Sequence, residues 1–103
     1  MYASVRRYEG AGNIDEVVRL VQQGFVPLIS KVPGFLAYYA VDARYGVAIT
    51  ISIFEDEAGA LEADRLAEEW VRKNLSAALP DSPEVTSGEV VVYNLKGIDD
   101  RNA

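Results

Sequence analysis

Two adjacent strand-like segments, residues 35–41 and 47–54, constrain the fold more than any other part of the sequence. Neither contains a charged residue, since the first reads FLAYYAV and the second VAITISIF. Successive side chains of a strand point to opposite faces of a sheet, so a sheet with one solvated face should alternate apolar and polar residues. Because both faces of this hairpin are uncharged, we expect both faces of the sheet to be covered.

The other segments predict the element order β-α-β-β-α-β. Residues 2–9 alternate as a first strand, and residues 85–93 form a last strand in which Gly88 is a bulge or a close-packing point. Between them, a capping box at Asn13 begins the first helix, and the acidic run 55–57 begins the second. This order is that of a ferredoxin-like α+β fold, a four-stranded antiparallel sheet with both helices on one face.

Apolar residues recur with helical period in both helical segments. Pro27 lies inside the first pattern, and because it lacks a backbone N–H we expect it to kink or restart that helix. The carboxylates of the second helix, Asp64 among them, are interpreted as part of a solvated face. The predicted stripe of the first helix is Ile14, Val17, Val18, Val21, Phe25, Leu28 and Ile29. The predicted buried side of the second is Ala60, Ala63, Leu66, Ala67, Trp70, Val71, Asn74 and Ala78.

Two helices can cover only one face of such a sheet. The other face would expose a contiguous apolar area larger than monomers usually tolerate, and a domain of this size buries only about two-thirds of its unfolded-chain surface. We therefore predict a homodimer in which two sheets pack face to face as a dimeric α+β barrel. The domain spans residues 1–95, and residues 96–103 form a polar C-terminal tail of the kind that is usually disordered.

Composition argues against several classes of function. A net charge of −6 and a pI near 4.5 argue against nucleic acid, whose phosphates require clustered Lys and Arg, and against anionic membrane surfaces. The absence of cysteine excludes disulfides and thiolate catalysis. The absence of histidine removes the commonest general base, zinc ligand and proximal haem ligand. With no signal peptide and no long apolar segment, the sequence predicts a cytoplasmic protein without a metal or a cofactor.

Several short segments resemble the antibiotic-biosynthesis-monooxygenase superfamily, in particular its small stand-alone members. They are RRYEG at 6–10, FVPLI at 25–29, PGF at 33–35, YY at 38–39 with Asp42, FED at 54–56 and WVR at 70–72. The resemblance extends over the chain to residue 93 and implies the dimeric α+β barrel. It also implies an activity, because relatives include cofactor-independent oxygenases that turn aromatic polyketide phenols into quinones, and haem-degrading enzymes.

The residues favour the first of these two activities. The haem degraders use an Asn on the first strand, with a Trp and a His on the second helix. Trp70 corresponds to that tryptophan, but the first strand offers Arg6 and Arg7 in place of Asn, and the chain has no histidine. The resemblance therefore implies a cofactor-independent monooxygenase for a small aromatic substrate, a phenol or a quinol.

The quinone-forming relatives line a pocket between helices and sheet with Trp, Tyr, Asn and Arg. Here this implies three catalytic candidates, Arg7, Tyr39 and Trp70. The arginine would hold the substrate anion, a tyrosine would hydrogen-bond it and the indole would stack on it. The substrate-binding candidates are Phe25, Tyr38 and Asn74.

Each of these candidates also has a structural interpretation. Trp70 lies at core spacing on its helix, where a large packing anchor is the commoner role. Arg6 and Arg7 point to opposite faces of the first strand, so one of them enters a covered face. A buried arginine needs a partner, and Glu89 or Asp42 are candidates for it.

Alternation leaves two questions open. Tyr38 and Tyr39 must point to opposite faces of the sheet, but the pattern does not say which one faces the helices. The function is open as well, because the same fold serves many purposes. The alternative to an oxygenase is a non-catalytic dimeric module that binds a small ligand or has a structural role.

Overall fold

The computed structural model describes residues 1–96 and contains the predicted order of elements. The strands are β1 (Tyr2–Tyr8), β2 (Phe35–Asp42), β3 (Ala48–Phe54) and β4 (Glu84–Glu89). The first helix (residues 14–29) is composed of α1 (Ile14–Leu20), a π-helical segment (Val21–Phe25) and α2 (Val26–Ile29). The second helix is α3 (Glu57–Asn74). The tail expected at residues 96–103 lies outside the described residues, apart from Lys96.

All strand pairs are antiparallel, and the strand order is β2-β3-β1-β4. This confirms the ferredoxin-like α+β fold. Paired residues on antiparallel strands share a face, so the register defines two surfaces. The helix-side face carries Ser4, Arg6 and Tyr8 of β1, Tyr38 and Ala40 of β2, and Thr50 and Ser52 of β3. The outer face carries Val5 and Arg7 of β1, Tyr39 and Val41 of β2, and Ile49, Ile51 and Ile53 of β3.

Side-chain caps begin both helices at the predicted places. Asn13 Oδ1 accepts a hydrogen bond from the Glu16 backbone N–H at 3.2 Å. The Glu16 carboxylate, however, pairs with Arg19 at 2.6 Å rather than closing the box. Asp56 caps α3 by accepting from the Gly59 N–H at 3.1 Å. These bonds satisfy backbone donors that the first turn of a helix leaves free.

The first helix is interrupted where the sequence predicts it. A π-helical turn ends at Phe25, and Pro27, which has no backbone N–H to donate, then lies in the first turn of α2. π-helical turns widen a helix locally and are common next to functional sites. Here the widened turn faces the sheet through Phe25, which is buried.

The buried side of α3 is narrower than predicted. Ala60, Ala63 and Ala67 are buried against the sheet. Asn74 is exposed, and its amide donates to the Trp70 carbonyl of its own helix at 2.9 Å. The prediction that Asp64 belongs to a solvated face is wrong, because its carboxylate contacts the helix-side face of the sheet.

Strand β4 ends earlier than the predicted residue 93. Its last partner on β1 is Tyr2, paired with Glu89, and only one further bond follows, from Val90 N–H to the Met1 carbonyl at 2.9 Å. Residues beyond 90 have no part of β1 left to pair with. Gly88 is neither a bulge nor a close-packing point, since it pairs regularly with Ala3 and nothing lies within 4 Å of the place of a Cβ.

The core has two parts on the helix-side face. One surrounds Phe54 and Ile29, which are almost fully buried, and the other surrounds Tyr8 and Val17. Trp70 packs against both parts. The space between them is not filled completely.

Candidate functional site

A cavity of about 390 Å³ lies between the two helices and the helix-side face of the sheet. This volume is in the range of pockets that hold small organic ligands, which runs from about 300 to 1,000 Å³. Its walls are mostly apolar and come from all three layers, with Val17 and Val21 from the first helix and Ala67 and Leu75 from the α3 side. A small number of polar side chains interrupt this surface, and they come mainly from the sheet.

Three aromatic rings form one wall of the cavity. Phe25 stands edge-on to Tyr38, with ring centroids 5.7 Å apart, and is tilted against Trp70 at 5.5 Å. These separations are typical of favourable aromatic pairs, worth about 0.5–1.5 kcal/mol each beyond simple burial. The cluster therefore supplies a stable apolar surface on which a flat aromatic ligand can pack.

Tyr38 adds a polar group to this wall. Burial, with a smaller contribution from the neighbouring Tyr8, raises the pKa of Tyr38 to about 12, although Thr50 and Arg6 act in the opposite direction. The phenol of Tyr38 is therefore neutral at ordinary pH. A neutral hydroxyl can both donate and accept a hydrogen bond.

Arg6 is the cation of the cavity. Its residue is only 6% exposed, and the strand alternation points it to the helix side together with Ser4 and Tyr8. Its NH1 lies 3.6 Å from Asp64 Oδ1, its Nε donates to the Tyr8 hydroxyl at 3.1 Å, and its guanidinium carbon is 5.8 Å from the centroid of the Tyr8 ring. A buried arginine is costly unless it is paired, and Asp64 provides that pairing.

Asp64 is held from a second side as well. Ser4, which is 1% exposed, donates its hydroxyl to Asp64 Oδ1 at 2.6 Å. The carboxylate of α3 is therefore joined to two neighbouring helix-side positions of β1. This small network positions the guanidinium of Arg6 at the cavity wall.

Arg6 retains unused hydrogen-bonding capacity. A guanidinium has five N–H donors, and within residues 1–96 the bond from Nε to Tyr8 is the only hydrogen bond that the Arg6 side chain makes. Buried donors are nearly always satisfied in native proteins, by protein, water or ligand. The free N–H groups at the cavity wall are therefore suited to an oxygen atom of a bound molecule.

The site combines three of the sequence candidates and leaves out three. Phe25, Tyr38 and Trp70 line the cavity. Arg7 and Tyr39 belong to the outer face, where Arg7 pairs with Glu9 and Tyr39 is 56% exposed. Asn74 points away from the cavity and bonds back to its own helix. The arginine in the cavity is Arg6, and its partner is Asp64 rather than the expected Glu89 or Asp42.

The sequence analysis did not predict Asp64 as a residue of the site, although its position next to buried residues of α3 indicates that role. Asp64 follows Ala63 directly and precedes Ala67 by three residues, so it lies at the edge of the buried stripe of α3. A carboxylate at such a position opposite a strand with two consecutive arginines is a candidate partner for one of them. The surrounding exposed carboxylates of the same helix obscured that signal.

Arg6 and Tyr8 also border a second cavity of about 400 Å³ on the β4 side of the sheet. Its other walls are more polar and come from the end of α3 and the loop that precedes β4, with Arg72, Ser76 and Asp81 among them. The Arg6 and Tyr8 side chains therefore form part of the wall of both cavities.

Within residues 1–96 no cluster of three or more His, Cys, Asp or Glu side chains is arranged to hold a metal ion. None of the helices in this part of the chain is long and apolar enough to cross a bilayer.

No protein-family model matches the sequence, and no curated protein is significantly similar to it. Solved structures are similar in fold. A protein of unknown function from Nitrosomonas europaea, NE2512, superposes with a TM-score of 0.73 at 19% identity, over 93% of this chain and 94% of that chain. The monooxygenase ActVA-Orf6 of Streptomyces coelicolor, solved with nanaomycin D, gives 0.71 at 22% identity over 93% and 92%.

A third similar structure is SnoaB from Streptomyces nogalater, a cofactor-independent oxygenase solved as its N63A mutant. It gives a TM-score of 0.67 at 17% identity, over 89% of this chain and 94% of that chain. The chain therefore has the fold of the antibiotic biosynthesis monooxygenases, as the sequence resemblance predicts. At these identities the likeness concerns the fold.

Proposed function

We propose that this protein is a cofactor-independent monooxygenase that oxidises a small phenolic aromatic bound in the cavity between helices and sheet. The observation that carries the proposal is a buried arginine with free donors in the wall of an aromatic cavity of ligand size. The protein shares its fold with two structures named as oxygenases, and this likeness supports the same function.

The cavity residues have distinct tasks in this proposal. The aromatic ring of the substrate packs against Phe25 and Trp70, which exclude water from it. The phenolic oxygen accepts hydrogen bonds from the free N–H groups of Arg6, and the neutral hydroxyl of Tyr38 provides a further bond. These donors stabilise negative charge as it develops on the oxygen, and fixed donors in a dry site are effective at this.

The chemistry needs only dioxygen as a second reactant. The phenolic proton passes to the Asp64 carboxylate, which lines the cavity, and its loss makes the ring electron-rich enough to react with dioxygen directly. One oxygen atom enters the ring opposite the phenolic oxygen and the other leaves in water, so one phenol and one dioxygen give one quinone and one water. Arg6 therefore has the role of binding the substrate oxygen that the sequence resemblance implies for Arg7, because alternation directs Arg7 to the outer face.

Oxygen uptake with a panel of hydroxylated naphthalenes and anthracenes tests this proposal. We expect uptake with at least one member and its loss in Arg6→Gln, while Arg65→Gln retains it. Arg65 is a matched control, since it is exposed on α3 and pairs with Glu62 on the solvent side. Tight binding of a panel member without any uptake would instead support the alternative, a non-catalytic module that binds a small ligand.

We also propose that the outer face is covered by a second copy of the chain. The row Val5, Ile51 and Tyr39 crosses this face without a charge, and Tyr39 and Val41 are 56% and 43% exposed. Packing two such faces together would bury these side chains in a dimeric α+β barrel, and removing apolar surface from water is favourable by about 25 cal/mol per Å².

A further inference from the structure

We infer that Asp64 makes the cavity selective for an uncharged ligand oxygen, a phenol or a carbonyl, over an anion of the same shape. The inference rests on the cavity being the ligand site proposed above. It concerns the charge of the molecule that binds and is separate from whether that molecule is then oxidised.

The charge of Arg6 is balanced by Asp64. The guanidinium lies 3.6 Å from Asp64 Oδ1, and their side chains are 7% and 22% exposed. The pair is thus largely removed from water and carries no net charge. A ligand anion placed beside Arg6 would add an uncompensated negative charge to this site, and burying such a charge is strongly unfavourable.

Asp42, the third charged residue of the cavity wall, does not make the cavity more favourable for an anion. Arg6, Asp42 and Asp64 are the charged side chains that line it. Asp42 is exposed at the end of β2, where its Oδ1 accepts from the Arg44 backbone N–H at 2.9 Å. Asp42 and Asp64 therefore both repel a ligand anion, and only Arg6 attracts it.

An uncharged phenol, by contrast, is complementary to the hydrogen-bonding groups present. Its oxygen accepts from the free N–H groups of Arg6, and its O–H donates to the Asp64 carboxylate or to the hydroxyl of Thr50. A carboxylate or a phenolate lacks that donor and meets Asp64 as a like charge. Specificity of this kind arises from repulsion of the wrong ligand as much as from attraction of the right one.

This selectivity agrees with the proposed catalysis. The substrate enters as the neutral phenol, and as its proton passes to Asp64 the negative charge moves from that carboxylate to the phenolic oxygen, so the net charge of the site stays the same. Arg6 then interacts more strongly with the transition state than with the bound substrate, which is the condition for accelerating a reaction. Asp64 is the specificity-determining residue of this site, because it balances the charge of Arg6 and accepts the hydrogen bond of a neutral phenol.

The test compares 2-naphthol with 2-naphthoate, a pair of similar shape. At pH 7 the first is neutral and the second is an anion, since phenols and carboxyls titrate near about 10 and 4. Binding is followed by the fluorescence of Trp70, the only tryptophan of the chain and part of the cavity wall. The measured quantity is the ratio of the two dissociation constants.

For the wild-type protein we expect naphthol to bind at least about tenfold more tightly than naphthoate. In Asp64→Asn the Arg6 charge is no longer balanced, and the ratio should shift toward naphthoate by about 10- to 1,000-fold, the effect of one charge at this distance. Glu62→Gln, which removes a carboxylate on the solvent side of α3, should leave the ratio unchanged.

A double variant, Arg6→Gln with Asp64→Asn, guards against loss of folding, because removing both members of a buried ion pair is tolerated better than removing one. In this double variant positions 6 and 64 carry no charge. We therefore expect it to bind naphthol more tightly than naphthoate, as the wild type does. Wild-type protein that binds naphthoate as tightly as naphthol, or an Asp64→Asn ratio equal to that of the wild type, would overturn the inference. Selective binding without oxygen uptake would overturn the oxygenase proposal and leave this inference standing.

Discussion

Gly24 of the π-helical segment lies directly against the indole of Trp70. A Cβ atom at Gly24 would come within 2.9 Å of Trp70 Cζ2 and 3.3 Å of its Nε1. Real Cβ atoms are essentially never found so close to another heavy atom, so a side chain at position 24 and the observed indole position exclude each other. The interruption of the first helix and the aromatic wall of the cavity are therefore one structural unit.

Gly24→Ala tests this contact. Alanine is favoured over glycine in a helix by about 1 kcal/mol, but an extra methyl group in a packed site costs about 1–3 kcal/mol. We expect the substitution to leave the free energy of unfolding unchanged or lower it in the wild-type protein, and to raise it by about 1 kcal/mol in a Trp70→Phe background. Urea denaturation of the wild type, the two single variants and the double variant measures both effects. If Gly24→Ala raised the free energy of unfolding equally with and without Trp70→Phe, the contact would be contradicted.

The Arg6 and Asp64 pair should contribute to stability as well as to the site. Arg6→Gln leaves a carboxylate that is mostly removed from water without its partner, and we expect the free energy of unfolding to fall by about 3 kcal/mol. Arg65→Gln removes an exposed pair and should cost less than about 1 kcal/mol. Equal, small losses in the two variants, measured by urea denaturation, would show that Arg6 is solvated rather than buried.

Tyr38 gives the protein an alkaline limit to its stability. Its pKa is about 12 when folded, mainly because of burial, and about 10 when unfolded. A group whose pKa is raised on folding contributes stability that is complete below the unfolded value and is lost as the pH rises through the folded value. Stability should therefore decline from about pH 10 to about pH 12, by about 3 kcal/mol from this group.

Tyr38→Phe isolates this contribution. The variant should lose the part of the decline that belongs to Tyr38, which unfolding curves between pH 9 and about pH 11 would detect. Tyr45→Phe serves as the control, because Tyr45 is 97% exposed in the turn between β2 and β3. An alkaline decline that is the same in both variants would contradict the burial of the Tyr38 hydroxyl.

The outer face predicts the behaviour of the protein in solution. Sedimentation equilibrium at micromolar concentration should show a dimer, and Ile51→Glu at the centre of that face should convert it to a monomer, since a buried unpaired charge is unfavourable. Leu61→Glu is a suitable control, because Leu61 is 59% exposed on α3. A wild-type monomer at this concentration would refute the dimer.

Much of the architecture follows from local patterns in the sequence. The uncharged hairpin, the cap at Asn13 and the interruption near Pro27 each depend on neighbouring residues, and each is found where it was predicted. The end of β4 depends instead on where its partner β1 begins, at Tyr2, and a segment read by itself contains no such information. That is why the strand was predicted to run to residue 93.

The site could be predicted only in part for a related reason. Alternation shows that Arg6 and Arg7 face opposite sides, as do Tyr38 and Tyr39, but it does not show which side the helices cover. The face that the helices cover depends on how α3 packs across the sheet. The contact between Asp64 and Arg6 shows that it is the face of Arg6. Residue types were therefore predicted more reliably than the individual residues that meet in the cavity.

In the proposed reaction, a phenol bound beside Arg6 reacts with dioxygen without a cofactor. The most direct test measures oxygen consumed and quinone formed in the same reaction, with chelator-treated protein and a hydroxylated anthracene. We predict one dioxygen consumed for each quinone formed, with loss of the reaction in Arg6→Gln and its retention in Arg65→Gln. Oxygen uptake that is equal in Arg6→Gln and the wild type, or absent with every phenol of the panel, would contradict the claim.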